Sequence, residues 1–229
     1  MKLAIMQPYF LPYIGYFQLI SAVDRFVIYD DVNFIKQGYI NRNKILGNNK
    51  SQTFTVDLKR ASSNSLINEI EIGNNCKKII KTIKQNYSKA PFFKDAMPLI
   101  EDILNNPEKN LARFVGSSLQ KISKYLQIDT VFYYSSELEK NCELKAQDKV
   151  INICDNLNAS HYLNAIGGQE LYSKDTFKEN KIKLNFIKTN LQPYQQFEQE
   201  FIPCLSIIDV MMFNSPELIN KMLDNYKLI

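Results

Sequence analysis

The chain has 229 residues, 45% of them hydrophobic and 23% charged, which is an ordinary globular composition and enough chain for one sizeable core. Its formal net charge is +4, carried by scattered lysines such as Lys77, Lys78, Lys81, Lys84 and Lys89; this reads as a solvated face rather than a nucleic-acid footprint, though it suits an anionic ligand such as a nucleotide. Cys76, Cys142, Cys154 and Cys204 are widely spaced with no C-x-x-C, so neither zinc nor haem is expected, and reduced thiols in a cytoplasmic protein fit best.

Leu3 to Met6 is a short apolar run closed by Gln7-Pro8. It is too short for a signal peptide and reads as a buried strand. Tyr13 to Ala22 follows as a helix, with Ile14, Phe17, Ile20 and Ser21 on one side, and Arg25 to Tyr29 as a second buried strand stopped by Asp30-Asp31. Strand, loop, helix, strand is the opening of a parallel α/β sheet. Asn41 to Ile45, Gln52 to Leu58 and Ile67 to Ile72 read as strands of an insertion. Cys76 to Tyr87 and Ala96 to Leu104 read as helices, and Asn110 to Leu126 as the longest helix. Thr130 to Tyr134 is a third buried strand, Lys145 to Leu157 a helix, and His161 to Ala165 and Lys183 to Ile187 two more strands. The tail from Ser206 to Leu228 reads as helical around a break at Asn214-Ser215-Pro216. No apolar run approaches the ~20 residues of a membrane span. The expected fold is one Rossmann-like three-layer α/β domain with an insertion at about Val32 to Leu104.

The first strand–helix connection, within Ile5-Met6-Gln7-Pro8-Tyr9-Phe10-Leu11-Pro12-Tyr13-Ile14-Gly15-Tyr16-Phe17, is dense in rigid and aromatic residues. In open parallel sheets ligands sit at the carboxyl ends of the strands. Pro8 and Pro12 would fix the loop's shape, Gly15 would let a ligand or neighbouring backbone approach, and Gln7 offers both a donor and an acceptor. Tyr9, Tyr13 and Tyr16 offer faces and hydroxyls for a base or sugar, and amides after Pro12 could meet a phosphate. Asp30 and Asp31, after the second strand, could hold Mg²⁺ or act as a base, or could simply end the strand. Asn41-Arg42-Asn43 reads as a ligand-binding element or a hairpin turn, with Arg42 a natural partner for a carboxylate or phosphate. His161 is the one histidine in the sequence; it reads as structural, which leaves a Ser-His-Asp device without its base. Ser206 and Asp209 suit a helix cap as well as catalysis. Met211-Met212-Phe213 reads as core or as a dimer contact, so a homodimer stays open.

These motifs resemble the WbqC-like family. The likeness runs through Gln7 to Phe17, Asp24 to Val32 and Asn41-Arg42-Asn43, then Tyr87 with Ala90-Pro91-Phe92-Phe93, Tyr162-Leu163 with Gly167 to Tyr172, Tyr194-x-Gln196, Phe201-x-Pro203 and Leu205 to Asp209. Asn164-Ala165 departs from the family's Ser-Gly, and Tyr39 stands where tryptophan is common. The resemblance implies a place in O-antigen or other surface-polysaccharide biosynthesis, and transfer of an aminoacyl, specifically glycyl, group to the amine of a nucleotide-linked amino sugar. Asp30, Asp31 and Arg42 would be catalytic; Gln7, Pro8, Tyr9, Tyr13, Gly15, Tyr16, Asn41, Asn43, Tyr162, Gln169, Tyr194, Gln196 and Asp209 would bind substrate or nucleotide. ATP and Mg²⁺ are the cofactors such a ligase would use. Tyr13-Ile14-Gly15-Tyr16 also falls where nucleotidyltransferases such as pantothenate synthetase carry H-x-G-H, with both histidines replaced. Positive charge for the phosphates must then come from elsewhere, Arg42 and Lys44 being nearest in sequence. The rival reading is a non-catalytic module binding a nucleotide sugar or a partner enzyme; a hydrolase or a transferase of another acyl group also remains open.

Overall fold

A computed structural model describes every residue except Cys142, so the reading of that cysteine falls outside the described residues. The centre is a six-stranded sheet built from β1 (Lys2–Met6), β2 (Arg25–Ile28), β7 (Val131–Tyr134), β8 (His161–Ala165), β9 (Lys183–Thr189) and β10 (Tyr226–Leu228). Its order is β7-β2-β1-β8-β9-β10. The strands are parallel except β10, which pairs antiparallel to β9. The chain runs outward from β1 through β2 to β7, then returns to the other side of β1 as β8. Strand order therefore reverses between β1 and β8, and in open parallel sheets ligands bind at the carboxyl edge beside such a reversal. This is a Rossmann-like α/β architecture.

Side-chain alternation builds the layers. Ala4, Phe26 and Ile28 point to one face, packing with α1 (Ile14–Ser21), α4 (Leu111–Tyr125), α7 (Ile207–Phe213) and α8 (Pro216–Leu223). Leu3, Ile5 and Val27 point to the other, beneath α5 (Ala146–Asn156) and α6 (Lys174–Glu179). Each large apolar side chain so buried contributes roughly 1.5–3 kcal/mol. Between β2 and α4 lie the hairpin β3 (Arg42–Gly47) and β4 (Lys50–Thr55), the two-residue pair β5 (Leu58–Lys59) and β6 (Glu71–Ile72), α2 (Cys76–Tyr87) and α3 (Phe93–Leu104). Their apolar side chains, Phe54, Ile79 and Met97 among them, join the same buried cluster as α1.

Three local expectations differ from the structure, and one helix was not expected. Val131–Tyr134 is an edge strand with Val131 half exposed, not a buried one, because no strand follows β7 in the sheet. Ile67 to Ile72 splits into a 3₁₀ turn and the short β6. The tail ends as β10 rather than as helix. Lys174–Glu179 forms α6, capped by Ser173 accepting from the Thr176 amide.

Candidate functional site

The loop after β1 has one shape because three distant segments fasten it. Asn43 Nδ2 on β3 donates to the carbonyls of Phe10 (3.0 Å) and Leu11 (2.9 Å). Ser206 Oγ donates to the same Leu11 carbonyl (2.6 Å), and the Ile207 amide donates to the Pro12 carbonyl (2.8 Å). The Phe10 amide donates to the Tyr39 carbonyl (2.9 Å). These bonds hold Leu11 at φ 45°, a left-handed conformation unusual for leucine.

The loop's aromatics divide by depth. Phe10, Tyr16 and Phe17 are core; Tyr16 donates to the Gln7 carbonyl (2.7 Å), and burial pushes its phenol far above the ordinary value. Tyr9 and Tyr13 are half-buried, with phenols raised first by burial, so both stay neutral donors at physiological pH. Tyr9 lies between Tyr16 (centroids 5.5 Å) and the exposed Tyr39 (5.9 Å). Together they make a partly open aromatic surface beside the end of β1. Pro8 is buried, and the half-exposed Gln7 side chain makes no hydrogen bond among the described residues. Gly15 serves packing: a Cβ there would lie 2.4 Å from Thr189 Oγ1 and 2.4 Å from the Tyr13 ring.

The two aspartates after β2 have different surroundings. Asp30 is fully buried and accepts from the Ser136 amide (2.9 Å) and hydroxyl (2.6 Å), tying the end of β2 to the turn after β7. Asp31 Oδ2 takes Lys140 Nζ and Lys149 Nζ, each at 3.0 Å. Lys149 also donates to the Asp31 carbonyl (3.2 Å) and stands over the Tyr29 ring at 5.1 Å. Burial alone would raise Asp31; the Ser135 hydroxyl and the two lysines outweigh it and hold the carboxyl below its ordinary value. Neither aspartate is placed for Mg²⁺: Asp30 is fully buried with both oxygens engaged by Ser136, and two ammonium groups beside Asp31 repel a dication. Among the described residues no group of three or more His, Cys, Asp or Glu side chains could hold a metal ion.

The remaining expected residues fall into three groups. Arg42 donates from Nε to the Gly38 carbonyl (3.1 Å) and from Nη2 to the Gln37 carbonyl, bracing that turn. Asn41 donates to Val56 (2.8 Å), and both line a cavity of about 280 Å³ with Phe34, Lys36 and Asp57. At the reversal point, Tyr162 is buried, stacked on Phe177 (5.3 Å), and accepts from Asn164 Nδ2 (2.8 Å). The half-buried Tyr172 meets Tyr162 edge-on at 5.7 Å, and Gln169 is exposed on the turn after β8. Tyr194, Gln196 and Asp209 form a buried node instead: Asp209 accepts from Tyr87 (2.7 Å), Tyr194 (2.6 Å) and Gln196 (2.6 Å). Burial raises its carboxyl, partly countered by those donors. Tyr87 in turn accepts from the Leu46 amide (2.8 Å), so the node welds the 194–203 segment, α7, α2 and β3 together. His161 pairs with Lys2 and Lys183 in the sheet register, at the amino edge of the parallel strands, and its ring nitrogen meets Asn185 at 3.0 Å.

The sequence matches the model of the WbqC-like protein family over residues 7–221, from the aromatic loop to α8. The chain belongs to the WbqC-like family. It is 29% identical over 218 residues to the uncharacterised protein Rv1507c of Mycobacterium tuberculosis, an alignment covering 93% of each chain. No solved structure matches it significantly. In this WbqC-like chain the groups gathered at the carboxyl end of β2 that sequence reasoning missed are Tyr29, Ser136, Lys140 and Lys149. Lys149 stands 118 residues from Asp31, so no local spacing announces the pair; Tyr29 reads from sequence only as the last residue of a buried strand.

Proposed function

We propose that this WbqC-like protein is an enzyme of surface-polysaccharide biosynthesis that attaches an aminoacyl group, glycyl in the first instance, to the amine of a nucleotide-linked amino sugar. The observation that carries the reading is the fastened aromatic loop at the carboxyl edge of the sheet, beside the reversal between β1 and β8. A rigid loop loses little entropy on binding, and its half-exposed Tyr9 and Tyr13, with the neighbouring exposed Tyr39, suit the face of a base or sugar. The neutral phenols and the Gln7 amide orient the acceptor. The acyl donor is an activated glycine, formed from ATP with Mg²⁺ carried on its phosphates or supplied already activated. The sugar amine attacks the acyl carbon and the activating group leaves. The work proceeds in the cytoplasm, where nucleotide-linked sugars are the ordinary sugar donors.

A second reading is favoured by a specific observation: the residues standing where nucleotidyltransferases have histidines are Tyr13 and Tyr16, and Tyr16 is spent on the Gln7 carbonyl. A module that binds the nucleotide sugar without turning it over would need nothing more. The two separate in one incubation of purified protein with ATP, Mg²⁺, glycine and a panel of UDP- and dTDP-linked amino sugars, read by mass spectrometry. Glycylated sugar with AMP and pyrophosphate supports an adenylating ligase, and glycylated sugar with ADP and phosphate supports a phosphate-activating one. A retained sugar nucleotide without product overturns the ATP-dependent transferase and supports the binding module; a second incubation with a preactivated glycyl donor, again without product, overturns the transferase altogether.

A further inference from the structure

We infer that the small cavity walled by Tyr13, Gln18, Tyr194 and Phe201 seats the primary ammonium group of a ligand, with Gln18 Oε1 as its acceptor. The cavity lies at the carboxyl edge of the sheet, where open parallel sheets hold their ligands. Asn190 and Leu191, which line it, directly follow β9, and Tyr13 ends the aromatic loop after β1. The inference deepens the reading of this edge as an acyl-transfer site and rests on that reading for the source of the amine, which is the aminoacyl donor or the acceptor sugar.

Its basis is an unspent acceptor. Gln18 is 1% exposed. Its Nε2 donates to the carbonyls of Met222 (2.7 Å) and Asn225 (3.1 Å), which uses both amide hydrogens and fixes which way the amide points. Its Oε1 meets no donor among the described residues. Met222 and Asn225 line the cavity as well, so the fixed amide end stands in its wall. A buried carbonyl oxygen without a donor is costly, and a ligand that brings an N–H recovers that cost. The neighbouring donors are turned elsewhere. Asn190 Nδ2 donates to Asn225 Oδ1 and Asn225 Nδ2 to the Asn190 carbonyl, each at 3.0 Å, and the Tyr194 hydroxyl donates to Asp209 (2.6 Å).

Charge and size narrow the class of ligand. No Lys, Arg or His side chain lines the cavity to repel a cation. The rings of Tyr13, Tyr194 and Phe201 line it, the last two meeting edge-on at 5.0 Å, and aromatic faces attract an ammonium group. The volume is about 20 Å³, space for one group of water's size. A primary ammonium fits that space and a quaternary one does not. The competing account is an internal water on Gln18 Oε1, with no ligand.

Saturation-transfer NMR on the methyl signal of methylammonium chloride, with the full-length protein at fixed ionic strength, separates the two. Transfer is expected for methylammonium and not for tetramethylammonium. Gln18→Met keeps the side chain's length but loses the acceptor, and should weaken binding at least tenfold. Cys204 is exposed and lines the cavity, so Cys204→Trp should block it, whereas Lys121→Met, which breaks the surface pair with Asp102, should change nothing. Should Gln18→Met fail to fold, the Cys204→Trp chain carries the test, together with protection of wild-type Cys204 from iodoacetamide by methylammonium, mapped by peptide mass. Displacement by glycine names the acyl donor as the source of the amine, and displacement by glucosamine names the acceptor sugar. No transfer to methylammonium, undiminished transfer in Gln18→Met or Cys204→Trp, equal transfer to neutral acetamide, or displacement by neither competitor would each overturn the site. Product formation is not read, so Gln18-dependent amine binding stands even if no glycylated sugar is ever formed.

Discussion

Asp209 and Asp31 are carboxylates set among donors, and their surroundings move them in opposite directions. At Asp209 burial dominates and raises the carboxyl; at Asp31 the hydroxyl and ammonium neighbours outweigh burial and lower it. Asp209→Ala would orphan the Tyr87 and Tyr194 hydroxyls and the Gln196 amide in the interior. It should cost about 3–5 kcal/mol in urea denaturation, since breaking a buried charged network leaves unpaired groups behind. For Asp31 the native carboxyl titrates below the unfolded value of 3.8, so the unfolded chain takes up the proton first. Its contribution is present above pH 3.8 and is lost as pH falls through the native value. The gap in unfolding free energy between wild type and Asp31→Asn should therefore hold steady from pH 7 to about 5 and close below 3.8; a gap that persists in acid would refute the charge pairing. At this scale sequence reading is weakest. It singled out Asp30, Asp31 and Asp209 by type and position. Which carboxylate meets lysines, which a serine and which two tyrosines depends on partners up to 122 residues away, and no local pattern encodes that.

The loop after β1 is the element on which most depends. Leu11 sits at φ 45° yet is fully buried. Leu11→Gly would relieve a backbone cost of roughly 1–2 kcal/mol but forfeit a buried leucine worth about 2–5 kcal/mol. The loss should win, and thermal melting should show a lower midpoint. Asn43→Ala releases the Phe10 and Leu11 carbonyls and should destabilise by about 1–3 kcal/mol; hydrogen exchange should quicken at the loop amides before the β1 amides. Gly15→Ala drives a methyl against Thr189 and Tyr13 and should cost a further ~1–3 kcal/mol. That the loop is rigid was legible from Pro8, Pro12 and its packed aromatics. How it is held was not, because Asn43 and Ser206 look in sequence like a turn residue and a helix cap. Helices with strong local periodicity, such as Cys76–Tyr87, and the strand His161–Ala165 coincide with their expected bounds. The short β5 and β6 did not stand out as separate strands, because two residues carry no period: Leu58 closed the expected Gln52–Leu58 strand and Glu71–Ile72 lay inside the expected Ile67–Ile72 one.

For the whole molecule, the sheet closes one side with β10, and only the presence of β9 makes Tyr226–Leu228 a strand. In sequence those residues continue a helical tail, which is why they read as helix. Deleting residues 226–229 should leave the β9 edge unpaired and produce concentration-dependent association in light scattering; a monodisperse truncated chain would show that the edge needs no cover. The Rossmann-like order itself was readable as alternation of strands and helices, whereas the return of β8 to the far side of β1 follows from packing and handedness alone.

The bonds on the aromatic loop also impose a schedule. Its residues are made long before their partners: the Leu11 carbonyl waits for Ser206, 195 positions later, and Gln18 for the Met222 carbonyl, 204 positions later. Through most of translation the prolines and tyrosines of that loop lack the contacts that finish their shape, and β1 lacks β8. Such late, far-reaching closures slow folding and leave apolar surface uncovered meanwhile. A nascent chain stalled before residue 206 would therefore present this aromatic segment to chaperones and proteases, and synthesis of the stretch from Ser206 to Met222 would be the event that hides it.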